Sequence, residues 1–504
     1  MLLLTNLYNK IPIRFKHTFL WSAAIGLIIH LYVFTNGFLN HDSLFNFYAN
    51  RGSDGSGRFT LKYFKGITSY FDLHYIQGVL SIIFLALTIA LLVELFQLTT
   101  KWTIIPFAII YLSYPTIAGT FAYMFTSHAY FLANLLTVVA VYLCFKLKRK
   151  WIAVIAGGAL LYLVLGTYQI NIAYGSTLIL LLFMKELLVG EKLAIKTYIS
   201  SILMLGIGLA GYVLHFKIYQ KVHNLLDYNG ISESGKINLE TIQKANENIF
   251  KDIGFYFFND FNFQRLFELL NVTYFALFIT LLIIVSIIRK VPIWKIGLVI
   301  VSIAILPYTL YLIYFISPDV EYHLIMKQHF ALIYIIGFVL FQIIVMYKNT
   351  FVQVFNIAVL GIFALIGYNQ IVISNIYYEK LSDLNQETYS LMTRVAHDIQ
   401  RVPGYTTDLK IAMVGYPSTM MTVPTRYNLF TPKNVGVSSR IVYDYASAYA
   451  YLANEIGLPN GVPMQSGVFL ADHSEEIKTM QNWPAEGSVK IVDNTIVVKF
   501  SGGN

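Results

Sequence analysis

The chain has 504 residues, of which 57% are hydrophobic, 16% aromatic and only 12% charged. Soluble domains carry about 25% charged residues, so an ordinary soluble enzyme is excluded. The formal net charge of +9 would fit nucleic acid or an anionic surface if the excess formed one patch. From residue 376 onward, however, 10 Lys and Arg face 12 Asp and Glu, so the whole excess lies in residues 1–375.

That first part is dominated by apolar runs long enough for a hydrocarbon core, which needs roughly 20 helical residues. The first, 18–35, follows the basic segment Lys10 to Lys16 with no small-x-small cleavage site behind it, and reads as an uncleaved anchor. Further runs lie at 77–97, 103–119, 122–145, 151–168, 171–188, 197–219, 267–288, 294–316, 325–347 and 351–373, giving eleven expected spans. With a cytoplasmic N-terminus, the cytoplasmic segments hold fifteen Lys and Arg, and the opposite short loops hold only Arg51, Arg58, Lys62, Lys65 and Lys327. This positive-inside bias puts the C-terminal region outside, and the charge needs no nucleic acid.

Three segments then face outward. Residues 36–76 carry two aromatic stretches around Gly52, Gly55 and Gly57, and the spacing of Phe59, Tyr63 and Ile67, with Lys62 and Lys65 off that stripe, predicts an interfacial helix. The loop 220–266 turns helix-like through Leu239 to Phe258. The tail, 376–504, mixes periods: an amphipathic helix at 381–401, a buried strand at 410–415, a Tyr/Ala-rich helix at 443–456, and strands Val489 to Val492 and Thr495 to Phe500 around an Asp493-Asn494 turn. The expected organisation is therefore a polytopic α-helical membrane domain, 1–375, followed by an extracytoplasmic α/β domain, 376–504.

Charge at a membrane boundary is costly unless solvated or used, so the outer loops and span ends are where chemistry is sought. The first loop is richest, with Asn40-His41-Asp42-Ser43 and then Arg51, Asp54, Arg58, Lys62, Lys65, Asp72 and His74. A carboxylate just past span one, with cations some sixteen residues later, can place a base and a phosphate-binding group around one pocket; the alternative is a solvated loop with anchoring cations. Lys327, Gln328 and His329 open the tenth span, where the lysine either meets a phosphate or snorkels to the interface. Asp319, Glu321 and His323 alternate as a cation set would in an extended chain, or simply solvate a short loop, and His128 reads as a packing residue. No phosphate-cradling Gly-x-x-x-x-Gly-Lys-Ser/Thr is present, and Cys144 is the only cysteine, which rules out a disulfide framework and Cys-rich zinc spacing.

Asp42 after the first span, Gly57-Arg58-Phe59, Gly166-x-Tyr168-Gln169 at the end of the fifth run, and Trp483-Pro484-Ala485-x-Gly487-Ser488-Val489 in the tail occur in an order that resembles the bacterial glucosyltransferase II family. These are serotype-converting membrane glycosyltransferases of the GT-C class, and the likeness extends over nearly the whole chain. Two positions depart from the family pattern: Ser43 stands where a second acidic residue is frequent, and Phe59 where Trp is common. The resemblance implies transfer of a hexose, typically glucose, from a polyprenyl-phosphate sugar to a cell-surface polysaccharide on the outer face of a bacterial cytoplasmic membrane. It also implies a synthase that makes the donor and a flippase that delivers it, and leaves a divalent cation as a candidate cofactor.

The chemistry suits such a reaction. An attacking hydroxyl needs a base, and a phosphate leaving group gains from positive charge rather than from an acid. Asp42 is expected as the base and Arg58, with Lys62 and Lys327, as partners of the donor phosphate; His41, Asp54, Tyr168, Gln169 and His329 are candidates for the acceptor or pocket wall. A transporter or flippase, or a polysaccharide polymerase or ligase, stays as the alternative. Polar groups here gather at the outer ends of spans and no internal duplication is evident, which is unlike the midplane sites of transporters.

Overall fold

The computed structural model describes residues 9–48, 56–190, 192–223, 238–258, 266–347, 349–415, 417, 440–458 and 473–500; the candidate Asp54 lies outside them. Two compact units form. The first takes residues up to Thr35 and from 56 to Asn375, and the second takes Asn36 to Tyr48 and the described residues from Ile376 on.

In the first unit, helices follow the apolar runs: α1 (Ile13–Asn36), the short α2 (Leu61–Lys65), α3 (His74–Phe96), α4 (Lys101–Ser113), α5 (Pro115–Phe121), α6 (Met124–Lys146), α7 (Lys150–Leu165), α8 (Asn171–Val189), α9 (Ile195–His223), α10 (Leu239–Phe258), α11 (Leu266–Ile288), α12 (Ile293–Leu310) and α13 (Ile333–Val345). α14 (Thr350–Arg401) has 52 residues, of which 350–375 belong to this unit. Nine helices among the described residues are long and apolar enough to cross a bilayer, so the chain is a multi-pass membrane protein. Two of the eleven expected runs take other forms. Pro115 holds Tyr114 in an extended conformation (φ −55°, ψ 133°), which bends the 103–119 run by 47° into α4 and α5. The 151–168 run yields only the 16 residues of α7.

α3 packs on α6, α7 on α6 and α9, and α8 on α12. Isoleucines turned away from these contacts, such as Ile279, Ile283 and Ile287 on α11, stay exposed, as a lipid-solvated surface requires. Two local expectations change. The interfacial helix shrinks to the five residues of α2 plus a 3₁₀ turn, Gly66–Thr68, and its stripe splits, because Phe59 is buried while Tyr63 and Ile67 are exposed. Residues Leu324–Leu332 form 3₁₀ turns leading into α13, with Lys327 off helical geometry (φ −103°, ψ 18°).

The second unit holds a three-stranded sheet of order β1-β3-β2: β1 (Lys410–Val414) runs parallel to β3 (Thr495–Lys499), and β2 (Val489–Val492) antiparallel to it. β2 and β3 meet through Asp493 (φ 41°) and Asn494 (φ 57°), the paired left-handed residues of a two-residue hairpin. α15 (Tyr445–Tyr451) starts in a capping box between Asp444 and Ser447, and α16 (Ser474–Thr479) brings Ile477 into a core with Met480, Val492 and Val497.

Candidate active site

In the first unit the two motifs of residues 57–59 and 166–169 pack against each other. Gly57 has φ +74°, a conformation that favours glycine, and a Cβ there would run into the Tyr212 hydroxyl and the Gln169 amide. Gln169 Nε2 donates to the Ser56 carbonyl at 2.6 Å and to the Tyr212 hydroxyl at 2.9 Å. Three residues after Gly57, the Thr60 N–H donates to the Gly166 carbonyl at 2.9 Å, and Phe59 lies so close over Gly166 that an added Cβ would sit 2.7 Å from its ring.

This frame carries Arg58 between its two halves. Arg58 Nη1 donates to the Tyr130 hydroxyl at 3.2 Å, and the guanidinium lies 5.1 Å above the Tyr168 ring. Tyr130 and Tyr168 are themselves stacked, with centroids 4.3 Å apart and planes 15° from parallel. A guanidinium on an aromatic face gains about 0.5–2 kcal/mol and keeps a planar fork suited to phosphate oxygens. Lys62 is not drawn in with Arg58; its ammonium lies 5.3 Å from the ring of its neighbour Tyr63.

The second cation takes a different setting. Lys327 does not snorkel to an interface: it is 4% exposed, with Nζ 4.5 Å from the Tyr256 ring and 5.9 Å from that of Tyr311. Gln328 beside it accepts from Asn134 at 2.5 Å and donates to Thr120 at 2.8 Å, while His329 Nε2 is 2.8 Å from the Leu310 carbonyl. His329 thus engages the backbone through that ring nitrogen.

A third group gathers from the same first loop. Lys65, 5% exposed, lies 5.5 Å from the Phe125 ring, and burial lowers its ammonium pKa to about 8 while Asp72 opposes the shift. The Asp72 side chain is 6% exposed and 3.4 Å from His74 Nε2. Tyr130 and Tyr212 are not singled out by the sequence. Their one sequence signal is a tyrosine near the outer end of an apolar run, which membrane interfaces supply in any case.

Asp42 and His41 belong to the second unit. Their segment is pinned to the tail: Asn385 grips Leu39 through its N–H (2.9 Å) and carbonyl (3.0 Å), and Asn454 donates to the Leu44 carbonyl at 3.3 Å. The Asp42 carboxylate is 47% exposed and lies 3.5 Å from His41, whose ring meets Tyr443 edge-on at 5.9 Å. Tyr443 stays 44% exposed, its hydroxyl pKa raised by burial, Asp444 and Asp42. Trp483, by contrast, is core: its Nε1 donates to Asp398 at 2.9 Å, and the ring packs 5.9 Å from that of Phe500.

No three His, Cys, Asp or Glu side chains converge as a metal site among the described residues. Asp319 pairs with Lys244, and His323 faces the Tyr123 ring, so the 319–323 set does not gather on a cation. A family model for glucosyl transferase GtrII matches residues 31–366. Among curated proteins none matches the chain.

Proposed function

The chain belongs to the glucosyl transferase GtrII family, and from that premise we propose that it moves glucose from a polyprenyl-phosphate sugar to a cell-surface polysaccharide on the outer face of a bacterial cytoplasmic membrane. In this reading an acceptor hydroxyl attacks the anomeric carbon, the bond from that carbon to the phosphate oxygen breaks, and polyprenyl phosphate leaves with the bonding pair. The hydroxyl proton passes to a carboxylate, proposed to be Asp42. The single observation that supports it most is Arg58, held by Tyr130 and over the Tyr168 ring between two packed motifs, a setting for a guanidinium to meet a phosphate that becomes more negative as it leaves.

Arg58→Lys keeps the charge and loses the fork. With purified protein, polyprenyl-phosphate glucose and an acceptor glycan, kcat/KM for the donor should fall about 10–100-fold, the range of one or two strong hydrogen bonds, while Lys62→Arg changes little. Silence of both substitutions would shift the phosphate to Lys327. Asp42→Asn should lower kcat by about 100-fold or more, the share of general-base catalysis, with donor binding retained. Near wild-type turnover would remove Asp42 from the chemistry.

A further inference from the structure

Arg58 sits between two residues that one side chain, Tyr212 of α9, holds at once. On the near side, the Tyr212 hydroxyl donates to the Gly57 carbonyl at 3.3 Å while accepting from Gln169 Nε2 at 2.9 Å. Gln169 spends its second N–H on the Ser56 carbonyl, so the donors and acceptors of the relay balance and two successive carbonyls are fixed. On the far side, the Tyr212 ring lies parallel to Phe59, centroids 5.8 Å apart and planes 17° from parallel, and His215, one turn on, reaches the same ring at 4.3 Å. Tyr162 anchors His215 from α7 by a hydrogen bond to Nδ1. The left-handed turn at Gly57 is part of this clasp, since a Cβ there would take the room that the Tyr212 hydroxyl occupies.

We propose that Tyr212 is a positioning residue for donor binding: through the carbonyl before Arg58 and the ring after it, it aims the guanidinium at the donor phosphate. This rests on the phosphate role of Arg58 given above. In this role its effect passes through Arg58 and depends on the guanidinium fork having an orientation to lose.

The test is a double-mutant cycle in the full-length protein, reading kcat and KM separately for polyprenyl-phosphate glucose. Tyr212→Phe removes one hydroxyl and keeps the ring. Its expected signature is a rise in donor KM of about fivefold to tenfold with kcat changed less than about twofold, and an unchanged thermal midpoint in detergent. In the Arg58→Lys background the same change should cost less than about twofold, because the fork is already gone. Tyr212→Phe that is silent beside a costly Arg58→Lys overturns the positioning role and leaves the phosphate role standing. An equal loss in both backgrounds overturns it too, by making Tyr212 independent of Arg58. If Arg58→Lys itself is silent, the phosphate reading fails and this inference goes with it.

Discussion

The Lys65 ammonium is buried beside the Phe125 ring, with the Asp72 carboxylate as its near charge. Burial brings its pKa from 10.5 down to about 8. At pH below 8 the folded and unfolded chains both carry the proton, and folding bears the full cost of the buried charge. Between about 8 and 10.5 the unfolded chain holds more protons, so stability should rise with pH, by about 3 kcal/mol over the whole window at 1.36 kcal/mol per unit. Subtracting the pH profile of Lys65→Met, measured by thermal unfolding in detergent, should isolate that rise; a flat difference would mean the ammonium is solvated. Of the residues around Arg58, the sequence makes the Gly-Arg-aromatic and Gly-x-Tyr-Gln motifs visible, but not that they pack together. Ser56 and Gln169 are 113 positions apart, and local pattern carries no information on such pairings. Tyr212 is harder still, because in an apolar run its hydroxyl has no periodicity that distinguishes it from its neighbours.

Helices and strands are legible where the local signal is undivided. α10 begins and ends at Leu239 and Phe258, where polar and apolar residues alternate with helical period, and the hairpin turns at Asp493-Asn494, where two left-handed residues are affordable. α2 is not legible, since Phe59 obeys the helical stripe yet leaves it for the space over Gly166. The 3₁₀ path of Leu324–Leu332 is also hidden, because Gln328 and His329 take their partners from Thr120, Asn134 and Leu310 on other elements. The hairpin offers a test. At Asn494, φ 57°, a β-branched residue is strained, so Asn494→Val should cost about 1–2 kcal/mol, seen as roughly tenfold faster amide exchange across β2 and β3 with α3 and α6 unaffected. Unchanged exchange would show that the turn tolerates another geometry.

For the protein as a whole, the asymmetry of Lys and Arg predicts that residues 376–504 lie outside. Cys144 is the sole cysteine and is buried, so introduced thiols can be read against a quiet background. A membrane-impermeant maleimide should label Glu476→Cys in intact cells and Lys148→Cys only after lysis; the reverse pattern would invert the topology. The pinning of residues 39–44 by Asn385 and Asn454 has a further consequence, in time. Those contacts join positions 346 and 410 residues apart. At a synthesis rate of about 5–20 residues per second, the segment bearing Asp42 leaves the ribosome roughly 20–80 s before Asn454, its latest partner. The membrane helices that precede Asn385 are therefore synthesised while that loop is still unclasped, and a chain terminated before Asn385 lacks all of these contacts. Emergence of Asn454 is then the event that completes the seat of the proposed base.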